Sequence, residues 1–116
     1  MGLDCYVQRK QKDIQTGESD DQEIWYGRKE NEIHGWMQRH SGVASEDFNC
    51  VPLPLTTELL DQLETSMLAG LMTPTKGFFF GPDNAVDNVM TAAKELIKVS
   101  REALEADEEI YYTSWW

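Results

Sequence analysis

Val86, Val89, Met90, Ala93, Leu96, Ile97 and Leu104 recur at separations of three, four and seven residues, while Lys94, Glu95, Lys98, Arg101, Glu102 and Glu105 take the other positions. That spacing puts the apolar side chains on one stripe of a helix capped by Asp83 or Asn84 and reaching to about Ala106. A helix this one-sided is stabilised by laying its stripe against another element. The segment that follows, Glu109-Ile110-Tyr111-Tyr112-Thr113-Ser114-Trp115-Trp116, is β-branched and aromatic and reads as a terminal strand. The chain must therefore lay helices on a sheet.

The remaining segments fit that plan. Leu3 to Arg9 alternates loosely and reads as a first strand, and Glu23-Ile24-Trp25-Tyr26-Gly27 as a second, with the polar stretch from Gln15 to Asp21 as the loop between them. Ile33, Trp36, Met37 and His40 form one stripe of a helix over Glu30–His40, ended by Ser41-Gly42. Pro52 and Pro54 make Asn49–Leu55 an extended or edge segment. Thr57 or Thr56 caps a helix through Leu71, with Leu59, Leu60, Leu63, Met67, Leu68 and Leu71 on its apolar face. The expected order is β-β-α-β-α-β-α-β, counting the Phe-rich segment before the last helix as a strand. This is a single α+β domain over residues 1–116, with three helices on one face of a small, mostly antiparallel sheet.

The net charge of −11 is uneven. Residues 1–40 hold six basic and eight acidic side chains, whereas residues 41–116 hold four and thirteen. Duplex nucleic acid is therefore a poor partner, and an acidic surface suits docking on a basic partner, DNA mimicry included. No apolar run is long enough to span a bilayer, and Met1-Gly2-Leu3-Asp4-Cys5 lacks the pattern of a signal peptide, so a soluble cytoplasmic protein without a membrane role is expected. Cys5 and Cys50 match no metal or disulfide pattern and are expected as two small buried thiols. Neither a metal nor a cofactor is called for.

Three constellations could carry a site. In the first, Trp25, Arg28, Lys29, Asn31, His34 and Trp36 cluster around a helix start, with Arg28 one turn before Asn31. The alternative there is that the cations are solvated, Asn31 caps, and His34 makes one internal hydrogen bond. The second is Lys76-Gly77-Phe78-Phe79-Phe80-Gly81. In an extended segment Phe78 and Phe80 share a face and Phe79 takes the other, so the three rings cannot all enter one core. The third is the aromatic C-terminus, whose rings call for central pairing in the sheet or a subunit interface. No nucleophile elbow, zinc motif or phosphate-loop spacing is present.

The residues of these constellations resemble those of a family of small, mostly phage-encoded proteins. Members begin Met-Gly-Leu-Asp-Met-Tyr-Leu, here Met1 to Val7 with Cys5 for Met. They carry Lys-x-Asn-x-Ile-His-x-Trp, here Lys29, Asn31, Ile33, His34 and Trp36, with Tyr26 and Arg28 before it. An Asn-Cys pair matches Asn49-Cys50, and a Pro-Thr-x-Gly-Phe-Phe-Phe-Gly run matches Pro74 to Gly81 with Leu71 ahead of it. The end resembles Tyr-Tyr-x-Ser-Ser-Trp in Tyr111, Tyr112, Ser114 and Trp115, leaving Trp116 extra. Members are often labelled phosphoglycerate kinase, a label that a chain this short without a phosphate-binding loop does not support.

The resemblance itself names no activity, but a small phage-type protein with this aromatic and polar set and no catalytic motif suggests capture rather than turnover, and the leading expectation is a counter-defence sponge that sequesters a nucleotide-derived immune signal of the host. Trp25, Trp36, Phe79 or Trp115 would stack a base. Arg28, Lys29, Lys76 and His34 would meet phosphate or ribose, and Asn31 or Asn49 the base edge, with Phe78, Phe80 and Tyr112 completing the walls. A homo-oligomer with pockets near its interface is expected. The alternatives are an acidic inhibitor docking on a basic host protein, and a small enzyme with His34 as acid/base.

Overall fold

The structure is a computed structural model, and it describes residues 3–10, 21–71 and 86–116. The Phe-rich segment with Lys76, Phe78, Phe79 and Phe80, the caps at Asp83 or Asn84, and most of the loop before the second strand lie outside the described residues.

The described chain is α+β. Its order is β1 (Asp4–Arg9), β2 (Gln22–Arg28), α1 (Asn31–Ser41), a 3-10 turn (Ser45–Asp47), β3 (Leu53–Leu55), α2 (Thr57–Leu68), α3 (Val86–Glu105) and β4 (Ile110–Trp115). The strands form one four-stranded sheet in the order β2-β1-β4-β3, antiparallel throughout. The aromatic terminal strand is thus central. It pairs with β1 along its whole length, from Asp4↔Trp115 to Arg9↔Ile110, and with β3 on its other side.

Alternation assigns the two faces. Cys5 and Val7 of β1, Trp25 and Gly27 of β2, Leu55 of β3, and Ile110, Tyr112 and Ser114 of β4 are buried beneath the helices. The α3 stripe of Val89, Ala93, Leu96 and Ile97 packs across β1, β2 and β4. Fully burying each large aliphatic side chain stabilises the fold by about 1.5–3 kcal/mol. α2 lies on α3 through Leu60, Leu63 and Met67. Arg101 of α3 reaches Asp61 at 2.8 Å and Glu64 at 3.2 Å on α2, a partly exposed pairing that adds at most about 1 kcal/mol.

Local signals set the boundaries. The Thr56 hydroxyl accepts from the Leu59 N–H and caps α2. Gly42 closes α1 at φ 74°, a left-handed conformation that glycine adopts without a Cβ penalty. Gly27 has a different role. A Cβ there would sit 2.6 Å from Cη2 of Trp25, so the bare backbone is what makes room for that indole.

Three expectations need correction. Arg28 ends β2 opposite Asp4 and is not a helical residue, because ladder pairing extends the strand to that point. Asn31 does not cap α1; Glu30 occupies the cap position without a side-chain hydrogen bond, and Asn31 is turned into the interior. Cys50 is exposed, in a turn at φ 63°, while Cys5 is buried.

Candidate functional site

The candidate residues divide between the two sides of the sheet. On the helix-covered side, α1 carries Asn31 and His34 one turn apart, and both are buried. The Tyr112 hydroxyl lies 2.9 Å from His34 Nδ1 and 3.1 Å from Cys5 Sγ. A phenol has one proton to give, so it donates to one neighbour and accepts from the other. Burial pushes the Cys5 thiol up to about 12, lowers His34 from 6.5 to about 4, and raises Tyr112 well above its ordinary value. All three groups are therefore neutral at neutral pH. A catalytic thiol–imidazole pair needs the thiolate, which this setting opposes. The trio holds the sheet to α1 and does not form an activated nucleophile.

Aromatic rings enclose it. Phe48 lies 5.3 Å from the His34 ring, and Trp116 meets that ring edge-on at 4.9 Å. Asn49 fixes the last residue like a strand partner: its Oδ1 accepts from the Trp116 N–H at 3.1 Å and its Nδ2 donates to the Trp116 carbonyl at 3.4 Å. Trp25 and Trp36 are buried, and the Trp36 indole stacks on His40 at 3.7 Å, so neither offers a free face to a ligand. Asn31 Oδ1 and Trp36 Nε1 have no hydrogen-bond partner among the described residues.

On the other side no described helix covers the sheet. Register builds cross-strand rows there: Arg28–Asp4–Trp115, then Tyr26–Tyr6–Thr113, then Gln8–Tyr111–Pro54. Trp115 is 60% exposed and Tyr26 47%. The Tyr6 and Tyr26 rings are 5.3 Å apart, and the Tyr26 hydroxyl donates to Asp4 at 2.6 Å. That hydrogen bond is the main cause of the raised Tyr26 pKa. Lys29 follows Arg28 in the turn at φ 57°, with its N–H on the Leu3 carbonyl at 2.7 Å. Further along this face, the Tyr111 hydroxyl sits between Gln8 Oε1 at 2.6 Å and Asp21 Oδ2 at 2.5 Å; burial first, then Asp21, push it up to about 12.

His34 and Tyr112 thus come together on the covered side, with Asn31 and Trp36 buried on the same helix as His34. Arg28 and Trp115 share a row on the uncovered side, Trp25 lies in the core beneath β2, and Asn49 secures the terminus. Sequence reasoning missed Tyr6, Tyr26, Tyr111 and Phe48. The alternation of β1 and β4 was the signal for Tyr6 and Tyr111; Phe48, in an irregular turn, carries no periodic signal. Among the described residues no group of three or more His, Cys, Asp or Glu side chains could hold a metal ion, and no helix is long and apolar enough to cross a membrane.

Comparison with protein-family models, with curated proteins and with solved structures finds no match.

Proposed function

We propose that the protein captures a small, planar, anionic molecule of the nucleotide class and does not transform it. The reading rests on one observation: exposed Trp115 lies in a row with Arg28, beside the Tyr26–Tyr6 pair, on a face that no described helix covers. Rings carried by an antiparallel sheet stack bases without regard to sequence. Two strand spacings separate Arg28 from Trp115, about 10 Å, the reach of a base with its ribose phosphate. In this arrangement Trp115 and Tyr26 stack the base, Arg28 and Lys29 meet the phosphate, and Asp4 accepts from an exocyclic amine.

Charge sets the ligand's size. A polynucleotide brings many phosphates to a chain of net charge −11, whereas a mononucleotide or cyclic nucleotide brings only what two cations can balance. The resemblance to phage-encoded proteins supports placing this capture in counter-defence, as a sponge for a nucleotide-derived host signal.

The test is a thermal-shift and native mass-spectrometric screen against cyclic nucleotides and ADP-ribose derivatives. A hit should raise the melting temperature, leave the protein chemically unchanged on heat release, and lose at least about tenfold in affinity in Trp115→Ala and in Arg28→Ala. Absence of any hit, or a hit indifferent to both variants, overturns the reading.

A further inference from the structure

A groove of about 730 Å³ runs along the β3 edge of the sheet. Its floor is apolar: Pro52, Pro54, Leu55, Leu104 and the ring of Tyr111 line it. Among the described residues its rim carries Asp21, Glu108 and Glu109, with Lys10 lining it and Arg9 paired to Glu108. We infer that this groove is a docking site for an extended, basic segment of a partner protein, gripped through its lysine and arginine side chains.

The β3 strand decides how an occupant can bind. Among the described residues β3 pairs only with β4, so it is an edge strand, and edges ordinarily recruit another strand through free N–H and C=O groups. Here Pro54 sits in the middle of the strand and Pro52 just before it. A proline is tolerated in a sheet only where its nitrogen faces away from the ladder, so the outward edge has acceptors without donors. Paired strand addition loses its donors at the two prolines, and an occupant hydrogen-bonds to this edge only by donating. Ammonium and guanidinium groups are such donors.

Charge selects the same partner. Glu108 already takes the Arg9 guanidinium at 3.0 Å, and Glu109 the Lys10 ammonium at 3.7 Å, so both rim carboxylates accept cations in the geometry present. The Glu109 side chain is 79% exposed and open to a further donor. Asp21 and Gln8 both turn an oxygen to the one proton of the Tyr111 hydroxyl, and an incoming N–H would satisfy whichever the phenol leaves. A second copy of this chain is a poor occupant, since it brings the same net charge of −11. The apolar floor then takes the aliphatic stems of the same lysine and arginine side chains.

The test is fluorescence anisotropy with a labelled peptide alternating Arg and Lys with Leu and Pro, beside its counterpart carrying Glu at every basic position. The basic peptide should bind and the acidic one should not. Asp21→Asn with Glu109→Gln should weaken binding by about tenfold or more, and Glu95→Gln with Glu105→Gln, an equal loss of charge on exposed α3 positions, by less than about twofold. Equal weakening by both pairs means attraction to overall acidity alone and overturns the proposal, as does failure of the basic peptide to bind. Nucleotide capture through Trp115 is unaffected by either pair, so the two proposals fail separately.

Discussion

One sheet has two faces built from alternate residues of the same strands, and they treat the same chemical groups in opposite ways. Tyr112 and Tyr111 are neighbours in β4. Tyr112 is fully buried, hydrogen-bonded to Cys5 and within hydrogen-bonding distance of His34, with Phe48 stacked alongside. Tyr111 faces out, holding two polar side chains at the lip of a groove. Trp116 and Trp115 divide the same way, one edge-on to His34 and the other exposed. Aromatic content therefore does not mark a binding site by itself. The strand phase of each ring does.

This contrast is broken most severely on the covered side. Tyr112→Ala removes a fully buried ring and should cost about 3–5 kcal/mol in urea unfolding. Tyr112→Phe keeps the ring and should cost about 1–2 kcal/mol, because the groups the hydroxyl served lose their partner. If the alanine variant cost under about 1 kcal/mol, the covered face would not be the core described.

Next comes pH. Unfolded His34 takes a proton below about 6.5, and folded His34 only below about 4. Between those values the unfolded chain binds more protons, so this group's contribution to stability falls as pH drops and is fully lost below about 4, a change of up to about 3 kcal/mol. Carboxylates titrate in the same range, so the measurement is the difference between wild type and His34→Gln across pH 4–7. The wild type should show the steeper loss on acidification.

Gly27→Ala should cost about 1–3 kcal/mol through the clash with Trp25, read as a lower urea midpoint with an unchanged slope. The smallest effect belongs to the uncovered side. Trp115→Ala should change stability by no more than about 0.5 kcal/mol, since exposed substitutions away from special features rarely do more. A large loss there would mean that Trp115 is structural.

The sequence disclosed the fold where a physical period was strong. The stripe of α3 and the Leu60, Leu63 and Met67 face of α2 placed both helices, although α2 ends at Leu68 and both Leu68 and Leu71, expected on its apolar face, are exposed; of the two outcomes expected for the aromatic strand after Glu109, central pairing is the one seen. It misled where a tertiary contact overrode a local pattern. Arg28 looked helical beside Asn31, but pairing with Asp4 holds it in β2. Asn31 suits a cap, yet its side chain is buried. The terminal tryptophans illustrate the limit best. Trp116 packs edge-on against His34 while its neighbour Trp115 is exposed, a division set by strand phase rather than by residue type.

The most direct test of the account is hydroxyl-radical footprinting of the aromatic side chains, read by mass spectrometry with and without the tightest nucleotide from the screen. Trp115 and Tyr26 should be oxidised readily in the free protein while Trp25, Trp36 and Tyr112 are spared, and ligand should protect Trp115 and Tyr26. Ready oxidation of Trp36 or Tyr112 in the free protein, or ligand protection confined to the surroundings of His34, would contradict this.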